Sequence, residues 1–260
     1  MTTQTPSERR AAIRHASDHL IELPPQPGQA HRSGGGKLID YRLQPATDDR
    51  VRAIATVKGH FANTPEWGSP WHFHECDLQI ALILDGSLEV AYERDRYGRA
   101  VAGDILFIPG QTLHDVGSAS SAYQVAEITF PGPFGTTEAE APAPGAPTAG
   151  RTLAPRDAYR EEENGGLIAY RYDLADPYAQ SFAIRRYIAS RTSPRDGAVR
   201  RHADAYRMLY VMKGWADLAL DGEAPVRTRE QAVVTIPTDT GYAFPAVSDD
   251  LEIIEIALRR

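Results

Sequence analysis

Two imidazoles stand one residue apart in the stretch SPWHFHECDLQIALILDGS, residues 69–87, and an amide follows five residues after the second. If PWHFH ends a strand, the two-residue repeat of an extended chain puts His72 and His74 on one face and Phe73 on the other, so both rings reach a common point. ECDL then makes a turn, and Gln79 opens a second strand, expected to run antiparallel beside the first until Asp85-Gly86 turns the chain again. A third imidazole, His114, comes from GDILFIPGQTLHDV, in which Gly103-Asp104 starts a strand and Pro109-Gly110 ends it. Three neutral imidazoles and one amide oxygen converging inside a small barrel make a site for one divalent transition metal, with one or two positions open to water or substrate.

The elements that must position these groups are strands. From Lys37 onward short apolar or alternating runs such as VRAIATV, QIALILDG, LEVAYE, GDILFIPG and YQVAEITFPG are separated by turn signals, the rhythm of an all-β sandwich or barrel. Before them, SERRAAIRHASDHLIE is expected to form a short helix capped by Ser7, leading into the irregular LPPQPGQAHRSGGG. Residues 132–165, rich in Pro, Ala, Gly and acidic side chains, are expected to make no strand and to serve as a linker. The C-terminal half of the chain repeats the N-terminal half: GGKLIDYR at 35 recurs as GGLIAYR at 165, and Gly86 and Gly214, Pro109 and Pro237, and Glu127 and Glu255 are each 128 positions apart. The expected organisation is an N-terminal arm at 1–36, a metal-binding barrel at 37–131, the linker at 132–165 and a second barrel at 166–260.

Composition bounds the function classes. A 260-residue chain with 42% hydrophobic and 24% charged residues is an ordinary globular protein, and a net charge of −7 without a Lys/Arg stripe argues against nucleic acid as partner and for a small-molecule substrate. The first twenty residues lack the apolar core of a signal peptide, and no apolar run approaches the ~18 residues of a membrane span, so the expected compartment is the cytoplasm. The lone Cys76, in a turn, excludes an intramolecular disulfide framework and reads as an incidental thiol. Exposed edges of such barrels commonly pair, which makes a homodimer the expected state.

The pattern His-x-His, four residues, Gln, six residues, Gly, followed downstream by Gly-Asp-x4-Pro-x4-His, resembles the two motifs of the cupin superfamily, and the internal repeat resembles a bicupin. This resemblance covers both barrels. It implies a double-stranded β-helix, or jelly-roll, fold and carries His72, His74, Gln79 and His114 over as metal ligands. YVMKGWADLAL and SDDLEIIEI are similar to the strand text of bacterial bicupins of quercetin-dioxygenase-like type. Most cupins have Glu where this chain has Gln79, although the bicupin isomerase of bacilysin biosynthesis also resembles this His-His-Gln-His set. A single barrel of this kind resembles, too, the ligand-binding arm of arabinose-regulator-type transcription factors, which continue into a helix-turn-helix domain where this chain continues into strands.

The 128-residue offset maps positions 72, 74, 79 and 114 onto Arg200, His202, Arg207 and Tyr242. Two guanidiniums would repel a cation, so the second barrel is expected to hold no metal and either to be structural or to offer an anion pocket. In the first barrel, neutral ligands leave a divalent ion its full charge, which favours anionic chelating substrates such as an enolate, a β-diketonate or an α-keto acid. A proton acceptor must then come from outside the ligand set. Glu127, in QVAEITF, interrupts an apolar strand and is the candidate catalytic base, against the alternative of a rim carboxylate; Glu75 and His60 are further candidates. Trp71, Phe73 and Phe107 are candidate pocket walls or core residues. The expected activity is that of a metal-dependent dioxygenase, with Fe2+ foremost and Ni2+, Mn2+, Co2+ or Zn2+ as other metals; the alternatives are a non-redox isomerase, cyclase or lyase, and a small-ligand sensor.

Overall fold

The alternating runs form twenty-two strands among the described residues, with one four-residue helix, α1 (Tyr178–Ser181), and a 3-10 turn at Pro155–Asp157. The structure is a computed structural model and describes residues 12–14, 20–21, 38–42, 54–60, 69–120, 123–130, 135–190, 197–204 and 206–259. Along the chain the strands are β1 (Ala12–Arg14), β2 (Leu20–Ile21), β3 (Leu38–Arg42), β4 (Ile54–His60), β5 (Ser69–His74), β6 (Leu78–Asp85), β7 (Ser87–Glu93) and β8 (Arg96–Val101). Next come β9 (Ile105–Pro109), β10 (His114–Ala119), β11 (Tyr123–Phe130), β12 (Thr136–Glu138), β13 (Arg151–Leu153), β14 (Tyr159–Asn164) and β15 (Leu167–Arg171). The remainder are β16 (Phe182–Ala189), β17 (Tyr206–Lys213), β18 (Trp215–Leu220), β19 (Val226–Arg229), β20 (Val233–Pro237), β21 (Tyr242–Val247) and β22 (Glu252–Leu258). No helix among the described residues is long and apolar enough to cross a membrane.

The chain divides into two compact units, His19–Pro155 and Arg156–Arg260 with Met1–Asp18. In the first, a five-stranded sheet, β12-β5-β10-β7-β8, faces a seven-stranded sheet, β13-β9-β6-β11-β4-β3-β2. Side-chain parity fixes the shared interior: Ala81 and Ile83 of β6, Leu106 and Ile108 of β9, and Tyr123 and Val125 of β11 pack with Leu88, Val90, Ala100 and Ala119 of the other sheet. Each buried aliphatic side chain there contributes about 1.5–3 kcal/mol. The second unit has a seven-stranded sheet, β1-β20-β17-β22-β16-β15-β14, and a three-stranded one, β19-β18-β21, around a core that includes Leu209, Val211, Leu218, Val234, Ile236, Phe244 and Ile253.

The 128-residue offset seen in the sequence recurs in the hydrogen bonds of the two units. His114 pairs with His72 and Tyr242 with Arg200; Gln79 pairs with Ile108 and Arg207 with Ile236; Glu127 pairs with Ala81 and Glu255 with Leu209. The turns repeat as well. Gly86 and Gly214 adopt φ of 71° and 72°, in the left-handed region open to glycine, and each is followed by an amide bonded to a serine hydroxyl, Ser87 to Ser120 and Trp215 to Ser248, both at 2.9 Å.

Three expectations need correction. First, β5 and β6 are not a hairpin: β5 pairs with β10 and β12, whereas β6 pairs with β9 and β11 in the opposite sheet. The turn after His74 carries the chain from one sheet to the other, tied by Asp77 N–H to the Phe130 carbonyl at 2.7 Å. Second, residues 132–165 are not free of strands, because β12, β13 and β14 add to sheet edges. Third, within the segment expected to be a helix, the described residues are strands: β1 pairs with β20 and β2 with β3. Helix propensity is a weak preference, and an open sheet edge supplies hydrogen bonds that outweigh it. Ser7 lies outside the described residues.

Candidate metal centre

His72 and His114 are cross-strand neighbours on β5 and β10, and His74, two residues beyond His72, shares its face. The ring centroids lie 4.1 Å (His72–His114), 4.9 Å (His72–His74) and 5.1 Å (His74–His114) apart. One nitrogen of each ring falls within 4.8 Å of the others, and all three residues are buried. No other such cluster of His, Cys, Asp or Glu occurs among the described residues.

Each ring is held through its Nδ1. The Nδ1 of His72 lies 2.8 Å from the Pro70 carbonyl oxygen and that of His114 lies 2.9 Å from the Thr112 carbonyl oxygen, acceptors that fix the proton on Nδ1 and leave the Nε2 lone pair for a metal. The Nδ1 of His74 meets the Thr136 hydroxyl at 3.0 Å. Gly110 locks the ensemble. A Cβ there would come within 2.0 Å of the Cys76 carbonyl oxygen, so only glycine lets the turn after β9 dock on the turn after β5, where Gly110 N–H donates to Asp77 (2.8 Å) and Gln111 N–H to His74 (3.2 Å).

Gln79 opens β6 on the interior face, 4% exposed, and its Oε1 has no hydrogen-bond partner. An unsatisfied buried amide oxygen costs about 1–3 kcal/mol, and a cation removes that cost. With three clustered imidazoles, two of them fixed with Nε2 available, the residues present fit a divalent transition metal. Opposite Gln79 in register stands Thr129, 1% exposed, whose hydroxyl likewise lacks a partner. Sequence reasoning passed over it, although it shares the parity of Glu127 in QVAEITF.

Glu127 is on the interior face of β11, in phase with Val125 and Thr129, and its charge acts on His114 and Tyr123. Its strand parity is that of the interior face, and its side chain is half-buried. Burial and the neighbouring His72 push the His114 imidazole down to about 4, so at neutral pH it is unprotonated, the state a metal ligand requires. The unfolded chain takes up this proton near pH 6.5 and the folded chain only near 4, so stability falls as pH drops through that window. Unfolding of the metal-free protein in urea is expected to show a loss on the order of 3 kcal/mol between pH 7 and 4 that His114→Gln does not share. Equal pH dependence in the two proteins would contradict this.

Other candidates are placed differently. Trp71 and Phe73 alternate with the histidines and face away from them, and Phe107 alternates with the interior residues Leu106 and Ile108, so none of the three lines the triad. Glu75 receives a hydrogen bond from the Thr137 hydroxyl on the surface. The side chain of His60 lies outside the described residues. Cys76 is buried, and burial together with Asp77 raises its thiol to about 11, which keeps it protonated.

In the second unit the equivalent positions carry a charge network. Glu255, fully buried, accepts from Arg185 Nη1 and Arg207 Nη1, each at 2.9 Å, and from the hydroxyls of Tyr187 and Tyr242, each at 3.3 Å. Arg207 also donates through Nε and Nη2 to Asp204, at 2.9 and 2.8 Å. Burial and the nearby Arg207 lower the pKa of His202. Arg200 stands over the Phe244 ring, 5.6 Å from its centroid. The anion that meets Arg207 and Tyr242 is thus the chain's own Glu255.

The protein Ylba from E. coli matches 96% of this chain and 91% of its own at 11% identity, with a TM-score of 0.68. The fold is cupin-like. Oxalate decarboxylase from Bacillus subtilis, described with Mn(II) centres, gives a TM-score of 0.66 at 14% identity over 95% of this chain and 77% of its own. Residues 55–147, which include the whole triad, match the family model of the AraC-like ligand binding domain. No curated protein matches the sequence. The cupin likeness thus spans nearly the whole chain, while the match to a family model is confined to the part that holds the histidines.

Proposed function

We propose that the chain is a bicupin enzyme whose first barrel holds one divalent metal, foremost Fe2+, on His72, His74, His114 and Gln79, and that it acts as a dioxygenase on a small anionic chelating substrate. The second barrel is a copy that has exchanged its metal for the Glu255 network. One observation carries this reading: three buried imidazoles clustered within ligand distance of one another, two of them held by carbonyls with Nε2 free; the buried Gln79 oxygen without a hydrogen-bond partner supports it. A redox-active metal bound there would stabilise an enolate and give dioxygen an electron path.

The protein's own groups do the rest. Neutral ligands leave the site cationic and draw in an anionic substrate, while the apolar interior formed by Ala81, Ile108 and Val125 excludes water and strengthens that attraction. Glu127 accepts the proton as the substrate becomes the enolate, a role that Gln79 cannot fill because an amide is not a base. Both oxygen atoms enter the product, so no external reductant is needed.

The test is oxygen uptake by iron-loaded, untagged protein with β-diketones and other enolisable acids. The expected result is metal-dependent consumption of one O2 per substrate, with Glu127→Gln lowering kcat by about 10²–10⁴ while metal content stays unchanged. Turnover without oxygen uptake would replace the dioxygenase by a lyase or isomerase. The AraC-like match favours a second reading, a ligand-binding module, for which anionic ligands would bind the loaded protein without turnover.

A further inference from the structure

The Pro- and Ala-rich segment after β11 contributes a group that reaches the histidine cluster. Strand β12 lies on the outer edge of β5 with Thr136 opposite His74, Thr137 opposite Phe73 and Glu138 opposite His72. Glu75 N–H donates to the Gly135 carbonyl and Ala139 N–H to the Trp71 carbonyl, both at 2.9 Å, so β12 is pinned at each end. The approach at Gly135 is close. A Cβ there would stand 2.8 Å from a Glu75 carboxylate oxygen.

The Thr136 hydroxyl, 3.0 Å from His74 Nδ1, differs in kind from the groups that hold the other two rings. A carbonyl only accepts, so it enforces the Nδ1–H form at His72 and His114. A hydroxyl accepts or donates. When it accepts from Nδ1–H, the Nε2 lone pair of His74 faces the cluster; when it donates to Nδ1, the proton moves to Nε2 and His74 ceases to be a ligand. Thr136 is exposed, so in the first arrangement its O–H donates to water while its oxygen accepts from Nδ1–H.

We propose that Thr136 is the positioning residue of the metal centre, orienting His74 and setting its tautomer from outside the barrel. This rests on the metal reading above, yet it makes its own demand on a ring that can be watched without metal. Partners of this kind behind a ligating imidazole change metal affinity by about 10–100-fold.

The test uses the full-length protein with three single substitutions. Thr136→Val keeps the shape and removes the hydroxyl, Thr136→Ser restores it, and Thr137→Val removes a hydroxyl from the same strand that bonds Glu75 instead. Calorimetric titration with Fe2+ or Zn2+ is expected to show affinity about 10–100-fold weaker for Thr136→Val and within about threefold of the parent for the other two. Nitrogen-15 NMR of the imidazoles at pH 8 is expected to show His74 protonated on Nδ1 in the parent and in Thr136→Ser, and a mixture of tautomers in Thr136→Val. Unchanged affinity and an unchanged His74 tautomer in Thr136→Val would overturn the proposal. If the parent binds no metal but the tautomer shifts, the metal reading fails and with it the role at a metal centre, leaving Thr136 as the group that sets the His74 tautomer.

Discussion

Replacing His114 with alanine is expected to weaken divalent-metal binding by about 10²–10³-fold while leaving the chain folded. Structural zinc sites bind with about 10–16 kcal/mol, so each of four ligands carries roughly 2.5–4 kcal/mol. His114 is the most buried of the three imidazoles, at 2% exposure, and its ring is closest to that of His72. The fold loses little because β10 keeps its backbone pairing with β5 and β7, and the cavity left by one polar ring costs about 1–2 kcal/mol. Calorimetric titration measures the first effect and urea unfolding the second. Affinity within threefold of the parent would show that the cluster is a hydrogen-bonded core and not a ligand set.

Glu255→Ala is expected to lower the stability of the second unit by about 3–5 kcal/mol, the cost of stranding buried charges. Arg185 and Arg207 both bond the Glu255 carboxylate, and Tyr187 and Tyr242 donate to it with hydroxyls whose pKa burial and that carboxylate raise, so all four lose a shared acceptor. The equivalent residue of the first unit is expected to behave in the opposite way. Glu127 has Gln79 where Glu255 has Arg207, and Glu127→Gln is expected to change turnover far more than stability. Urea unfolding of both variants separates the two roles, and a loss under about 1 kcal/mol for Glu255→Ala would mean that water already satisfies the arginines.

Both sites show what periodicity reveals and what it hides. The repeat was legible because turns impose backbone conformations that only certain residues accept: Gly86 and Gly214 recur at the same φ, and Gln111 and Asp239 stand at φ of 59° and 61° one repeat apart. The triad was legible because His-x-His on a strand has one geometric meaning. Parity within QIALIL was not, since both faces of β6 are apolar and buried, and only the packing of Ala81 and Ile83 with β7 shows which is inside. Nor does alternation say which sheet a strand joins, so the β5–β6 turn looked like a hairpin. The bond between Arg185 and Glu255 spans 70 residues and that between His74 and Thr136 spans 62, distances over which no local pattern carries information. Thr136 was hidden further by its setting, a short polar strand in a segment whose composition reads as linker.

The most direct test is elemental analysis of the untagged protein as isolated, alongside His114→Ala. Three imidazoles and one amide in a single barrel predict about one equivalent of a divalent transition metal per chain, foremost iron, in the parent and almost none in the variant. No metal in the parent, even after anaerobic reconstitution with ferrous ion, would contradict the account.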